Sequence, residues 1–71
     1  SKKIQQVLDL LSEDHRVVIL LREVEGLSYE EISDTLGISQ GTVMSRLHYA
    51  RKKLQQALKE FAPAGLEEDV A

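Results

Sequence analysis

The spacing of apolar residues predicts a chain built from helices without strands. Apolar side chains recur at intervals of three and four residues, which is the period of a helix with one buried face. The first such stripe consists of Ile4, Val7, Leu8 and Leu11. Ser12 is followed by two acids, a pattern typical of a helix N-cap, so a second helix is expected from about Glu13.

The second helix is expected to bury a broad apolar face and to end at Gly26. Glycine readily takes the left-handed conformation of the residue that follows a helix. Ile19 falls outside the stripe, so the pattern leaves it either covering the first helix or meeting a partner protein. The predicted buried face consists of Val17, Val18, Leu20, Leu21 and Val24.

The segment LSYEEI predicts the start of a third helix. Ser28 and Glu31 have the spacing of a capping box, in which each side chain accepts a hydrogen bond from the other residue's backbone N–H. This helix is expected to run from about Tyr29 to Leu36, where Gly37 would stop it.

A short connection then leads into a long fourth helix. Ser39 is expected to cap it, and nothing after Gln40 breaks it before Pro63, so it should reach about Phe61. So short a glycine-containing connection between amphipathic helices is the signature of a helix-turn-helix. The predicted fold is all-α: residues 1–61 form a four-helix domain, and residues 62–71, which lack periodicity, form a disordered tail. The predicted inward positions of the fourth helix are Val43, Leu47, Ala50, Leu54, Leu58 and Phe61.

The distribution of charge singles out the fourth helix. The chain of 71 residues has a formal net charge of −3, which by itself argues against nucleic-acid binding. Residues 1–34 and residues 60–71 each carry a net charge of −4, whereas residues 35–59 carry five bases and no acid. This local basic element points to a nucleic acid, whose phosphates would repel a carboxylate on the same face.

The outward face of the fourth helix carries the side chains that entry into a DNA major groove requires. Small and hydrogen-bonding residues lie near its start, and cations lie further along and on the flanks. The free backbone N–H groups at the helix start can also bind a phosphate. The outward residues are Gly41, Met44, Ser45, His48 and Lys52, with Gln40 and Tyr49 at the edges, Thr42, Arg46 and Lys53 on one flank and Arg51 toward the other.

The residues alone leave other interpretations open. A basic helix face can be a merely solvated surface, Met44 can belong to a core, and His48 can be a solubilising residue. Tyr29 is expected to pack between helices with its hydroxyl at the surface, a phosphate contact being the alternative. His15 is expected to be a surface residue.

Other classes of protein are disfavoured by composition. There is no cysteine and there are two histidines, so neither disulfides nor a metal site nor another cofactor is expected. No apolar run is long enough to span a membrane. No nucleophile–base pair or phosphate-binding glycine loop suggests an enzyme. The chain begins with Ser1, so we expect part of a longer cytoplasmic protein.

The segment LSEDHRVVILLREVEGLSYEEISDTLGISQGTVMSRLHYARKKL, residues 11–54, resembles region 4 of bacterial RNA polymerase sigma factors. The resemblance is to the sigma-70 family and its extracytoplasmic-function group, because GLSYEEI, LGIS, GTV and SRLHYAR follow one another at the family's spacing. It implies a four-helix domain that binds the −35 element of double-stranded promoter DNA through its last helix. It also implies docking on the flap tip of the polymerase β subunit, sequestration by an anti-sigma factor and a place on the bacterial nucleoid.

The resemblance assigns roles by position. Base reading falls on Met44, Ser45, His48 and Tyr49, and phosphate contacts fall on Tyr29, Thr42, Arg46 and Arg51. Many members carry Arg or Lys at the positions of Met44 and Tyr49, so the preferred −35 sequence does not follow. Two alternatives stay open: a LuxR-like response-regulator output domain, which shares GLSYEEISDTLGIS, and a protein-interaction module without a DNA role.

Overall fold

The computed structural model describes residues 2–61, with side chains for residues 5–60. Within residues 2–61 every regular element is helical: α1 (Lys2–Asp9), α2 (Glu13–Ile19) continued directly by a π-helical turn (Leu20–Val24), α3 (Tyr29–Leu36) and α4 (Gln40–Phe61). The predicted all-α class is therefore confirmed. The tail predicted for residues 62–71 lies outside the described residues.

The helix starts are set by side chains that satisfy free backbone N–H groups. Ser12 Oγ accepts from the backbone N–H of His15 at 3.3 Å. Ser28 and Glu31 form the predicted capping box, with Glu31 N–H donating to Ser28 Oγ at 3.0 Å and Ser28 N–H donating to Glu31 Oε1 at 2.9 Å. Hydrogen bonds from the Ser28 backbone and then its side chain lower the pKa of Glu31, because they favour the ionised carboxylate.

The second helix widens before it ends. The backbone N–H of Glu25 donates to the carbonyl oxygen of Leu20 at 3.1 Å, five residues back, and that of Leu27 donates to Leu21 at 3.0 Å. Gly26 then takes φ +71°, the left-handed conformation expected of it. Because the π turn holds more residues than a regular turn, the 3.6-residue period cannot be extended through it.

The second helix buries a different face from the predicted one, because its regular α part packs through Val18 and Ile19. Leu20 is 36% exposed and Val24 71% exposed, so their predicted burial was wrong. Ile19 is only 5% exposed and belongs to the core, where it lies beside Leu8 of α1 and Leu54 of α4. Of the two alternatives for Ile19, the structure supports cover for the first helix, since its side chain is almost fully buried.

The long helix α4 is the element against which α1, α2 and α3 all pack. Its buried stripe follows the predicted phase from Val43 as far as Leu54, and Ala57 then continues it at 4% exposure. Leu58, predicted to face inward, is 51% exposed because it lies one position beyond this stripe. The side chain of Phe61 lies outside those described. The fully buried side chains of the shared core are Val18, Ile32, Val43, Leu47 and Ala50.

The connection between α3 and α4 is the predicted short turn. Gly37 takes φ +68°, and its N–H donates to the carbonyl of Ser33 at 2.9 Å, which ends α3. Ser39 Oγ then accepts from the backbone N–H of Thr42 at 3.1 Å and caps α4. Because local hydrogen bonds fix both ends of the turn, the outward face of α4 has a defined direction relative to α3.

Candidate nucleic-acid interface

Packing of Val43, Leu47 and Ala50 into the core orients the opposite face of α4 toward solvent. Met44 is 50% exposed, which excludes the interpretation that it is a core residue. Half-buried members of the predicted site are Tyr29, Thr42 and Arg46. Its exposed members are Gln40, Gly41, Met44, Ser45, His48, Tyr49, Arg51, Lys52 and Lys53.

Tyr29 is the one predicted site residue that does not belong to α4, and the fold brings it to the site. It lines a shallow cleft together with residues of the outward face of α4. The cleft also includes Gln55, which the sequence reasoning did not select although it lies one helical turn after Arg51. The described side chains that line the cleft are those of Tyr29, Met44, His48, Arg51, Lys52 and Gln55.

Arg51 is held by residues from two other parts of the chain. Its Nη2 donates to Glu23 Oε1 at 3.0 Å. Hydrogen bonding to Glu23, and secondly to Tyr29, raises the pKa of Arg51 because both interactions favour the guanidinium. The guanidinium of Arg22 lies 5.3 Å from the centroid of the Tyr29 ring, within the range of a cation–π contact.

Arg22 also connects this cluster to the start of α3. Its Nη1 donates to the carbonyl oxygen of Leu27 at 2.8 Å, so the guanidinium is anchored to the backbone while it faces Tyr29. Neither Arg22 nor Glu23 was selected from the sequence. The site was selected mainly from the sequence of α4, which contains no indication of these two residues. Both lie in the π turn, and the apolar periodicity of the sequence did not predict that turn.

Arg46, on the other flank of α4, also faces an acid. Its Nη2 lies 3.8 Å from Asp14 Oδ2, a longer and weaker contact than that of Arg51. Although α4 itself has no acid before Glu60, tertiary packing thus brings a carboxylate to each of its two arginines. Among the side chains of residues 5–60, Lys52 and Lys53 take part in no ion pair.

Two aromatic rings stand side by side in the middle of the exposed face. The ring centroids of His48 and Tyr49 are 5.2 Å apart with an interplanar angle of 76°, an edge-to-face arrangement. Each ring restricts the orientation of the other, and Tyr49 is nevertheless 56% exposed. The pair therefore offers two rings, each with a hydrogen-bonding group, to whatever lies against α4.

A ligand can approach the backbone of α4 closely in its first turn, because Gly41 has no side chain. A Cβ atom added at Gly41 would meet only Ser39 Oγ, at an ordinary contact distance of 3.8 Å. The fold therefore has room for a side chain at this position. The hydroxyls of Ser39 and Thr42 are 2.9 Å apart and engage each other, so Thr42 is partly committed to the cap.

Two further properties of the described chain bear on its class. Among residues 2–61, no three or more His, Asp or Glu residues are grouped so that they could hold a metal ion. None of the helices in the same range combines the length and apolar character of a bilayer-crossing segment.

A capped short turn, two helices packed against each other and an exposed cationic second helix define a DNA-binding domain of the helix-turn-helix class. Comparison with known families is consistent with this assignment. The family model for sigma-70, region 4, matches residues 1–54. The chain belongs to this family, and the relatives it matches place it in the extracytoplasmic-function group.

Similar proteins carry matching names. The chain is 47% identical over 59 residues to the ECF RNA polymerase sigma factor SigE of Mycolicibacterium smegmatis, a match that covers 83% of the chain and 23% of the relative. It is 46% identical over 58 residues to ECF RNA polymerase sigma factor SigL of Mycobacterium tuberculosis, covering 82% and 33%. With the RNA polymerase sigma-H factor of Pseudomonas aeruginosa, identity is 43% over 56 residues, covering 79% and 29%. The chain thus spans between about a quarter and a third of the length of these relatives.

Proposed function

We propose that this domain recognises the −35 element of promoters on behalf of an alternative sigma factor, which directs RNA polymerase to initiate transcription. The observation that carries the proposal is the phase of α4: burial of Val43, Leu47 and Ala50 turns the acid-free face outward. The family membership supports the same role. The proposed function is non-enzymatic and belongs to the bacterial cytoplasm, on the nucleoid.

Within this proposal, the first three turns of α4 lie in the major groove. Ser45 and His48 lie on the outward face and would contact base edges, with Met44 and Tyr49 beside them as apolar or aromatic contacts. The phosphate contacts would come from the helix start at Gln40 and Gly41 and from the remaining site residues. These are Tyr29, Thr42, Arg46, Arg51, Lys52 and Lys53.

The test separates base reading from phosphate contact. Because the preferred sequence is not known, a −35 site is first selected from a random duplex library with the domain, and binding is measured by fluorescence anisotropy on all its single-base variants. His48→Ala is expected to change the order of preference, by about 1–3 kcal/mol at one base pair for a good contact. Arg51→Ala is expected to weaken all duplexes alike and to flatten the log–log salt slope by about one unit.

Lys59→Ala is the matched control, because it removes one exposed cation of α4 outside the proposed site. The wild-type salt slope is expected to lie at roughly −3 to −4.5, the value for about three to five phosphate contacts. Equal affinity for the selected and scrambled duplexes, or a slope near zero, would contradict the proposal.

A second surface supports docking on RNA polymerase. Leu20, Val24 and Leu58 are exposed and line an apolar groove. Among the side chains of residues 5–60 that line it, Glu23 is the single non-apolar one. Leu58 lies 18 positions after Gln40, or roughly 27 Å along a helix that rises about 1.5 Å per residue. A partner in the groove therefore leaves the first turns of α4 free for DNA. The other groove residues are Val7, Leu8, Ile19 and Leu54.

We propose that the flap tip of the polymerase β subunit occupies this groove, since the relatives bear the name of RNA polymerase sigma factors. An anti-sigma factor that covers the same groove would exclude polymerase. Val24→Asp is expected to abolish binding to core polymerase in a pull-down while DNA binding and the melting temperature stay close to wild type. Leu10→Asp, which alters a 52% exposed leucine outside the groove, is the control. Unimpaired polymerase binding by Val24→Asp would refute this docking site.

A further inference from the structure

The ion pair between Glu23 and Arg51 joins the π turn to the middle of the DNA-facing helix. The two residues are 28 positions apart in sequence, and their side-chain nitrogen and oxygen approach to 3.0 Å. The side chains of Arg51 and Glu23 are 43% and 56% exposed, so both can be reached by water and by a DNA backbone. Arg51 lines the cleft of the proposed DNA-facing surface, and Glu23 lies beside it at the border with the apolar groove.

A carboxylate and a phosphate compete for the same donors. Both present paired oxygens to the planar fork of a guanidinium, and both gain charge-assisted hydrogen bonds from it. In the free domain Glu23 Oε1 already accepts one such hydrogen bond from Arg51. A phosphate that approaches Arg51 must either displace this carboxylate or bind close to a like charge, and both alternatives reduce the gain from the contact.

We propose that Glu23 is an intramolecular competitor for the phosphate at Arg51, and that it lowers the affinity of the domain for all DNA sequences alike. This inference rests on the proposed function, because it requires Arg51 to contact phosphate. It assigns a role in DNA binding to a residue outside both helices of the helix-turn-helix. As a consequence, the affinity for specific and unspecific DNA is lowered by the same factor, and the discrimination between base sequences is unchanged.

The test compares two substitutions that change the net charge equally. Glu23→Gln removes the competing charge, whereas Glu25→Gln removes an exposed acid two residues further on that forms no ion pair with the described side chains. Affinities for a selected −35 duplex and a scrambled duplex are measured by anisotropy at about 0.15 M salt, where long-range effects are screened. The assay omits polymerase, because Glu23 also lines the apolar groove.

Glu23→Gln is expected to bind both duplexes about two- to fivefold more tightly than wild type, the range of a surface ion pair converted to an affinity ratio. Its salt slope is expected to be steeper by at most about 0.9, the value for one more phosphate contact. Glu25→Gln should show a smaller gain. In the Arg51→Ala background, Glu23→Gln should add no more than Glu25→Gln does.

Three outcomes would overturn the inference. Weaker binding by Glu23→Gln would show that the carboxylate positions Arg51 for DNA and does not compete. Equal gains from Glu23→Gln and Glu25→Gln would reduce the effect to net charge, and a full gain in the Arg51→Ala background would remove Arg51 from the explanation. Failure of the proposed function is a separate result, since wild type would then bind selected and scrambled duplexes equally. Circular dichroism melts verify that each variant is folded.

Discussion

Ile19 and Leu20 are adjacent in sequence, and the direction of the buried face of the second helix predicts different responses to their truncation. Ile19 is 5% exposed and lies in the core beside Leu8 and Leu54, whereas Leu20 is 36% exposed at the groove. Ile19→Ala should therefore leave a cavity that costs about 2–4 kcal/mol of unfolding free energy. Leu20→Ala removes a side chain that water already reaches, so about 1 kcal/mol or less is expected.

The assay is equilibrium urea unfolding followed by circular dichroism at about 222 nm. At this wavelength the signal comes mainly from helices. A small domain has a slope m of about 1 kcal/mol per molar urea, so Leu20→Ala should lower the midpoint by about 1 M or less. A domain of this size is stabilised by only about 3–5 kcal/mol, and Ile19→Ala can therefore be largely unfolded without denaturant.

Ile19→Val keeps the measurement quantitative. It removes one methylene group from the same site and should cost about 0.5–1.5 kcal/mol, with a midpoint shift of about 0.5–1.5 M. The matched Leu20→Val should shift the midpoint by less. If Leu20→Ala destabilised the domain as much as Ile19→Ala, Leu20 would lie in the core, and the account of the groove would fail with it.

Three further outcomes are expected. Gly41→Ala should leave the melting temperature unchanged or raise it, because the fold has room for the added Cβ, while anisotropy should show weaker DNA binding from the lost close approach. Ala50→Leu should cost about 1–3 kcal/mol in urea unfolding, since Ala50 is fully buried in the packed core. The hydrogen bonds from Ser28 lower the pKa of Glu31 below its ordinary 4.5, so its capping contribution is present above that pH and is lost as pH falls through the folded pKa. Wild type should therefore be more stable than Glu31→Gln at about pH 7, and the difference should shrink as pH falls through the folded pKa; a constant difference would contradict this reasoning.

The helix starts and ends could be predicted because their causes are local. Ser12, Ser28 and Ser39 each satisfy a backbone N–H three residues further on, so the whole interaction is contained in a few letters of sequence. Gly26 and Gly37 end helices through their own backbone conformation. The four-helix, helix-turn-helix fold follows from these signals together with the apolar period.

The face of α4 could also be predicted for most of its length, because a regular helix carries one phase from end to end. Val43, Leu47 and Ala50 are buried as expected, and Met44 is exposed opposite them. The reasoning failed where regularity or phase failed. Leu58 was placed inward although the stripe continues through Ala57, and Leu20 and Val24 were placed on the buried face of the second helix although that helix packs through Val18 and Ile19.

The sequence by itself thus determined the order and limits of the helices, the helix-turn-helix and the acid-free outward face of α4. Tertiary structure alone decided which acids stand beside its arginines. Asp14 and Glu23 belong to the second helix and its π turn, and only packing of that helix against α4 brings them to Arg46 and Arg51. The physical reason is range: caps and helical phase act over three or four residues, whereas an ion pair between distant segments exists only once the core has fixed their separation.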